Sequence, residues 1–238
     1  MRVLALDTST PTCAVAVIDG ERVLAQDDRP TEGRHGEVLL PRVRDVLAAA
    51  GLLPADLALI AVGSGPGSFT GLRIGLASAK GLALALSVPL RAVCSLRALA
   101  AGLPVRPGSL RAAALDAGKG EVFVAAFDGE DPLNPPLLPP LRATPEQAAS
   151  RLSALLAPGI RGLLLCGPGA RRYPALGTLQ ATGAQLVDPA LDVPAGRNVA
   201  QLALALYRAE GPSDLATLAP NYLRGSDARL PARTPSTE

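Results

Sequence analysis

One interval occurs twice in this chain, and it constrains the fold more than any other feature of the sequence. In the first half the apolar run Val3-Leu4-Ala5-Leu6 ends at Asp7, and Asp19-Gly20 follows twelve residues later. In the second half Ala114-Leu115-Asp116 echoes Ala5-Leu6-Asp7, and Asp128-Gly129 follows at the same interval. A small or polar loop comes after each strand-ending Asp (Thr8-Ser9-Thr10-Pro11, then Ala117-Gly118-Lys119-Gly120), and each leads into an apolar run at 13–18 or 122–127. A strand, a tight loop, a second strand and an Asp-Gly turn form a hairpin signature. Its recurrence marks a duplicated structural unit. Two like domains then meet at a cleft with their Asp loops facing each other.

The rest of the pattern is α/β, two βββαβα-type domains at 1–105 and 106–225 with a loosely ordered tail at 226–238. Apolar spacing predicts a helix from His35 through Val38, Leu39, Val43, Val46, Leu47 and Ala50, stopped at Gly51. A buried strand at 57–62, a long helix at 69–86 and a strand at 88–93 complete the first unit. In the second, residues 132–140 read as a proline-rich surface loop. Thr144 with Pro145 opens a helix by N-cap and N1 preference. Residues 162–166 are a buried strand ending at Gly167-Pro168-Gly169, and 197–208 form a last helix.

Composition narrows the function. With 48% apolar and 18% charged residues the chain has a core to bury. A net charge of +2 is too small to hold a polyanion alone, so chemistry on nucleic acid would need a more basic partner. Cys13, Cys94 and Cys166 are odd in number and show no C-x-x-C, as in a reduced cytoplasmic setting. Arg2 comes too early for a signal peptide, and the apolar stretch 72–90 is broken by Arg73, Lys80 and Pro89, so the expectation is a soluble cytoplasmic protein.

The most distinctive stretch is the loop Gly63-Ser64-Gly65-Pro66-Gly67-Ser68, which follows a strand and opens a helix, where phosphates are often cradled. It fits neither nucleotide template: no Lys stands at the Walker A place, and Thr70 stands where the dinucleotide fingerprint needs Gly. Behind it Gly71, Gly75, Ala79 and Ala83, each four apart, form a stripe of small side chains on one helix face. Such a stripe serves either an internal helix contact or a subunit interface with the neighbouring His35 helix. Asp7 and Asp116 either coordinate a metal and orient water, or simply form turns. Gly167-Pro168-Gly169 is either a third cleft loop or a tight turn. His35 is the only His. That excludes a metal site built on a His pair, and no G-x-S-x-G elbow supports a Ser-His-Asp triad, so a capping or interface role fits it best.

These residues carry a specific resemblance. Leu4-Ala5-Leu6-Asp7-Thr8-Ser9-Thr10, Arg34-His35 with Leu39-Leu40-Pro41, and Gly65-Pro66-Gly67-Ser68-Phe69-Thr70-Gly71-Leu72-Arg73-Ile74-Gly75 are similar to the TsaB (YeaZ) family. So are Leu115-Asp116-Ala117 with Gly120-Glu121-Val122, and Pro220-Asn221-Tyr222-Leu223-Arg224. The resemblance implies a duplicated actin/Hsp70/sugar-kinase (ASKHA) fold. It implies a non-catalytic partner subunit of a complex making threonylcarbamoyladenosine in tRNA. In that family the subunit pairs with TsaD, which carries the metal-binding histidines and the transfer chemistry. TsaE joins the pair, a TsaC-type enzyme acts upstream, and tRNA is met only through the complex. Homodimers form when TsaD is absent.

Carried onto this chain, the family's interface falls on His35, Leu39, Leu40 and Val43 and on Phe69, Gly71, Leu72, Arg73, Gly75, Leu76, Ala79, Lys80 and Ala83. A vestigial nucleotide cleft would include Asp7, Thr8, Ser9, Asp116, Gly118, Gly167 and Gly169, with ATP or ADP at the subunit junction and no catalytic or metal-binding residue in this chain. The competing expectation is an enzyme acting alone, an ATP-dependent phosphotransferase or a glycoprotease-like peptidase.

Overall fold

The structure is a computed structural model and describes residues 1–131, 133–156 and 160–223. The chain builds two five-stranded sheets of one topology. The first comprises β1 (Arg2–Asp7), β2 (Thr12–Asp19), β3 (Arg22–Pro30), β4 (Leu59–Gly63) and β5 (Leu90–Val93), in the order β3-β2-β1-β4-β5. The second comprises β6 (Ser109–Gly118), β7 (Glu121–Asp128), β8 (Leu138–Ala143), β9 (Gly162–Cys166) and β10 (Ala184–Leu186), in the order β10-β9-β6-β7-β8. In each, the first three strands are antiparallel neighbours and the last two run parallel to the first. The repeated interval thus reflects a duplication of the whole sheet.

Helices cover both faces of each sheet, which is why the central strands read as unbroken apolar runs. Alternate residues of β1 serve different cores. Leu4 and Leu6 face α1 (His35–Ala49) and α2 (Phe69–Leu86), together with Leu39, Val43, Ala79 and Ala83. Val3 and Ala5 face the other way, onto Val199, Leu202 and Ala203 of α7 (Gly196–Glu210). The second sheet packs one face on α4 (Pro145–Ser153) and the short α5 (Pro168–Arg172) and α6 (Pro174–Gly177). Its other face takes Leu96, Leu99 and Ala100 of α3 (Ser95–Ala101).

The halves are therefore interlocked. α3 precedes the second sheet yet covers it, and α7 follows the second sheet yet covers the first. Asn198 of α7 donates from Nδ2 to Ala98 O of α3 at 3.2 Å, tying the exchanged helices together. The start of α7 lacks a side-chain cap of its own. Asp28 of β3 supplies the acceptor instead, taking the Gly196 N–H at 3.0 Å across 168 positions of sequence.

Local chemistry follows the sequence at most boundaries. Thr144 and Gln147 form a reciprocal capping box with Pro145 behind it. The proline-rich stretch departs from expectation, because Leu138, Pro139 and Pro140 belong to β8 rather than to a loop. β8 is an edge strand, and the two prolines fall where its register against β7 shifts between Val124 and Ala126, a place that needs no donor. Pro132, Arg224 and the tail 226–238 lie outside the described residues.

The interlock has a measurable consequence. A fragment of residues 1–105 lacks α7 and exposes Val3, Ala5, Leu59 and Ala61, all fully buried in the whole chain. Such a fragment should show no cooperative thermal transition by circular dichroism, whereas the whole chain melts in one step.

Candidate functional site

The loop after β1 is held from every side by the chain's own groups. Asp7 is fully buried. Its Oδ1 accepts from the Ser9 backbone N–H at 2.8 Å and from Ser9 Oγ at 2.6 Å, and its Oδ2 accepts from Ser95 Oγ at 2.8 Å. Ser95 Oγ in turn accepts the Gly65 N–H at 3.2 Å, so one carboxyl joins the loop, the glycine-rich turn and the start of α3. Burial pushes the Asp7 carboxyl above its ordinary range, against the lowering effect of the Ser9 and Ser95 hydrogen bonds.

Glycine permits this closeness. A Cβ at Gly63 would overlap the Asp7 carboxylate, one at Gly67 the Ser9 carbonyl, one at Gly71 the Thr8 carbonyl and one at Gly75 Thr8 Oγ1, each well inside 3.0 Å. Thr8 Oγ1 donates to Gly71 O at 2.7 Å, and the Ser68 N–H donates to Ser9 O at 2.8 Å. The Gly71-Gly75 part of the stripe is therefore an internal contact, and what approaches it is the β1–β2 loop rather than another helix. Ala79 and Ala83 extend it into the core under the sheet.

His35 braces the loop from α1. Its Nε2 lies 2.9 Å from Thr10 O, which can only accept, so that nitrogen carries the proton, and Nδ1 lies 3.3 Å from Thr31 Oγ1, whose hydroxyl donates to Pro11 O at 3.1 Å. Arg42, also on α1, donates to Cys13 O, Arg29 O and Pro30 O, which fastens the helix to β2 and β3. These contacts leave Asp7, Thr8 and Ser9 all buried. Within this loop and the turn beside it the Ser9 and Ser68 amides and the Thr8 and Ser9 hydroxyls already bond protein groups.

The corresponding loop of the second sheet is more open. Asp116 is half-buried; its Oδ1 accepts from Gly118 N at 3.0 Å and Tyr173 OH at 2.9 Å, and Oδ2 pairs with Arg172. The Gly167 N–H donates to Asp192 Oδ1 at 2.7 Å. Gly167 and Gly169 lie against the backbone of Ala114 and Leu115, where a Cβ on either would collide. These two glycines thus let α5 close on β6, repeating on a smaller scale what α2 does on β1.

The outward faces of α1 and α2 carry a different set of side chains. Of the residues assigned to an interface from sequence, His35, Leu39, Val43, Gly71, Leu72, Gly75, Leu76, Ala79 and Ala83 are buried in this chain. Leu40, Phe69 and Arg73 are exposed, and Lys80 is half-buried with its ammonium on Leu218 O at 2.6 Å. The exposed line of α2 runs through Arg73, Ala77, Gly81 and Leu84, with Leu84 67% exposed. Beside it, Leu40, Val43, Leu47, Leu53, Leu82 and Leu86 line an apolar groove of about 380 Å³ between the two helices. Ala77, Gly81 and Leu84 were missed because α2 is small and apolar on opposite faces. By length and composition it is the one described helix that reaches the threshold for crossing a membrane, yet one face lies in the core of the first sheet.

Known proteins are similar to this chain in sequence and in fold. A family model described as tRNA N6-adenosine threonylcarbamoyltransferase (TsaD) matches residues 29–131. The tRNA threonylcarbamoyladenosine biosynthesis protein TsaB of Escherichia coli is 41% identical over 133 residues, 55% of this chain and 57% of that protein. Its Bacillus subtilis counterpart is 35% identical over 58% of this chain and 60% of its own length, so the chain spans little more than half of either relative. An uncharacterized protein of Mycobacterium tuberculosis is 35% identical over 95% of this chain and 93% of its own. Among solved structures, YeaZ from Pseudomonas aeruginosa superposes with a TM-score of 0.75 at 28% identity, covering 93% of this chain and 99% of that one. The ROK hexokinase of Thermus thermophilus, with a TM-score of 0.50 at 16% identity over 87% of this chain and all of its own, shares the fold alone.

Two substitutions test the closed loop. Asp7→Ala should cost about 3 kcal/mol in urea unfolding, because the Ser9 and Ser95 donors lose their buried acceptor. Asp7→Asn keeps the shape and cannot ionise. The native carboxyl titrates above its unfolded value, so its contribution is full below the unfolded pKa and lost as pH rises through the folded one. The asparagine variant should therefore gain on the wild type as pH rises above the ordinary carboxylate range, measured as the difference in urea midpoints. Gly71→Ala should cost about 2–4 kcal/mol by forcing α2 off Thr8.

Proposed function

The chain belongs to the TsaB (YeaZ) family, and from that premise we propose that it is a non-catalytic partner subunit in the formation of threonylcarbamoyladenosine in tRNA. It docks a TsaD-type catalytic subunit through the outward faces of α1 and α2, around the groove lined by Leu40, Leu53 and Leu82. The observation that carries this reading is a pairing of opposites within one lobe. The loop that would hold phosphate is sealed by its own helix, while the same helix turns a small, apolar line of residues outward.

An apolar groove rimmed by exposed Leu40 and Leu53, with exposed Leu84 elsewhere on α2, is the kind of surface that a second helix pair covers. Ala77 and Gly81, on the exposed line of α2, allow close approach of a partner helix. The same face serves a second copy of this chain when the catalytic subunit is absent. In the assembly a TsaE-type subunit joins the pair and a TsaC-type enzyme supplies the activated group. The tRNA is met through the complex, since this chain carries a net charge of only +2. Any ATP or ADP sits at the subunit junction and depends on the partner's residues, a reading supported by the Thr8 and Ser9 hydroxyls already bonding within this chain. The setting is cytoplasmic.

The reading is tested by reconstitution. The catalytic subunit should form threonylcarbamoyladenosine in tRNA only when this chain is present, and full activity without it would refute the role. The docking face is tested by contrast. Gly81→Arg projects into open space and Leu84→Glu replaces an exposed side chain. Both should abolish co-elution with the catalytic subunit while melting within about 3 °C of wild type. Ala79→Arg enters the core instead and should lower the melting temperature by about 10 °C or more.

A further inference from the structure

At the N-terminal end of the exposed line of α2, three side chains stack on one another. The Arg73 guanidinium lies 4.0 Å over the Phe69 ring and 5.9 Å from the Tyr222 ring. The two rings are 4.9 Å apart at an interplanar angle of 32°. Arg73 Nε–H donates to the Tyr222 hydroxyl at 2.9 Å. All three are at the surface, Phe69 37% and Tyr222 38% exposed, in a chain with only three Phe and three Tyr.

Tyr222 reaches this position on a strap after α7. Ser213 N–H donates to Leu90 O at 2.8 Å, Leu218 O accepts Lys80 Nζ at 2.6 Å, and Asn221 N–H donates to Ser64 O at 2.7 Å. The strap thereby holds one side of an arginine that would otherwise sample many rotamers, and Phe69 holds the other. Among the described residues no carboxylate is bonded to the terminal nitrogens of Arg73. A guanidinium has five N–H donors, and the one on Nε is used. What is left is the paired fork that fits a carboxylate bidentately, already immobilised before any ligand arrives.

We propose that Phe69, Arg73 and Tyr222 form a carboxylate clamp that receives one aspartate or glutamate side chain of the protein partner docked along α2. Charge complementarity selects that occupant: one fixed fork between two aromatic rings suits a single carboxylate, whereas a polyanion needs clustered cations. Position selects it too, because Arg73 continues the exposed line of Ala77, Gly81 and Leu84. The clamp rests on the reading that this face of α2 receives the catalytic subunit, and it sets the charge and register of that docking.

Calorimetric titration of the whole chain with its cognate TsaD-type subunit tests it. Arg73→Gln should weaken binding about 30-fold with an unchanged melting temperature. Arg73→Lys should restore only part of the loss, since an ammonium cannot form the fork. Tyr222→Phe keeps the stack but frees the Nε–H and should weaken binding about fivefold. Wild-type affinity should fall more steeply with salt than that of Arg73→Gln. A wild-type complex of full affinity that is indifferent to Arg73→Gln overturns the clamp and leaves the partner role standing, whereas absence of any wild-type complex overturns both. Two further results overturn the assigned occupant. One is an Arg73→Gln effect confined to self-association, which makes it a second copy. The other is tighter, Arg73-dependent binding by a chain ended at Leu223, which makes it this chain's own tail.

Discussion

The approach of α2 to the β1–β2 loop is the contact on which the rest of the first lobe depends. Helix and loop come within a distance that only glycine at 67, 71 and 75 permits, and Thr8 Oγ1 bonds the helix backbone directly. Asp7 then becomes the buried hub that the glycine-rich turn and the start of α3 close over. A carboxyl so placed is poor at receiving a metal or a phosphate and good at locking three segments together. The glycine-rich turn, which by position resembles an anion cradle, cradles the protein's own backbone and carboxyl instead.

The second lobe repeats the scheme less completely. Gly167 and Gly169 let α5 close on β6 as Gly71 and Gly75 let α2 close on β1, but α5 has five residues where α2 has eighteen. Asp116 consequently remains half-exposed, paired with Arg172 and hydrogen-bonded by the Tyr173 hydroxyl rather than buried. One sheet topology thus supports a lobe closed by an eighteen-residue helix and a second lobe closed by one of five residues. The exchange of α3 and α7 joins them, because each sheet buries one face against a helix from the other repeat.

The outward side of α2 follows from the inward side. With Gly71, Gly75, Ala79 and Ala83 turned to the core, 3.6-residue geometry turns Arg73, Ala77, Gly81 and Leu84 to solvent. Together with α1 this leaves an apolar groove on a lobe whose phosphate-type loop is closed. That conjunction is the physical basis for reading the chain as a subunit that presents a surface to a partner.

Much of this was legible in the sequence. The repeated interval from Asp7 to Asp19 and from Asp116 to Asp128 marked the duplication, since strand, loop and hairpin lengths are local properties. The bounds of α2 and β9 and the Thr144 cap followed from local propensity and turn chemistry. The edge position of β8, which tolerates Pro139 and Pro140 inside a strand, was not local and was missed. Nor was α3, a seven-residue helix whose role is to cover the other repeat's sheet. The facing of α2 was decided only in three dimensions. Periodicity showed the stripe of Gly71, Gly75, Ala79 and Ala83 but not whether it met the chain's own core or a partner, and the close approach of Thr8 decided that it faces inward. The Phe69–Arg73–Tyr222 stack likewise existed only after folding, because Tyr222 lies 149 positions from Arg73 and reaches it through the strap that follows α7.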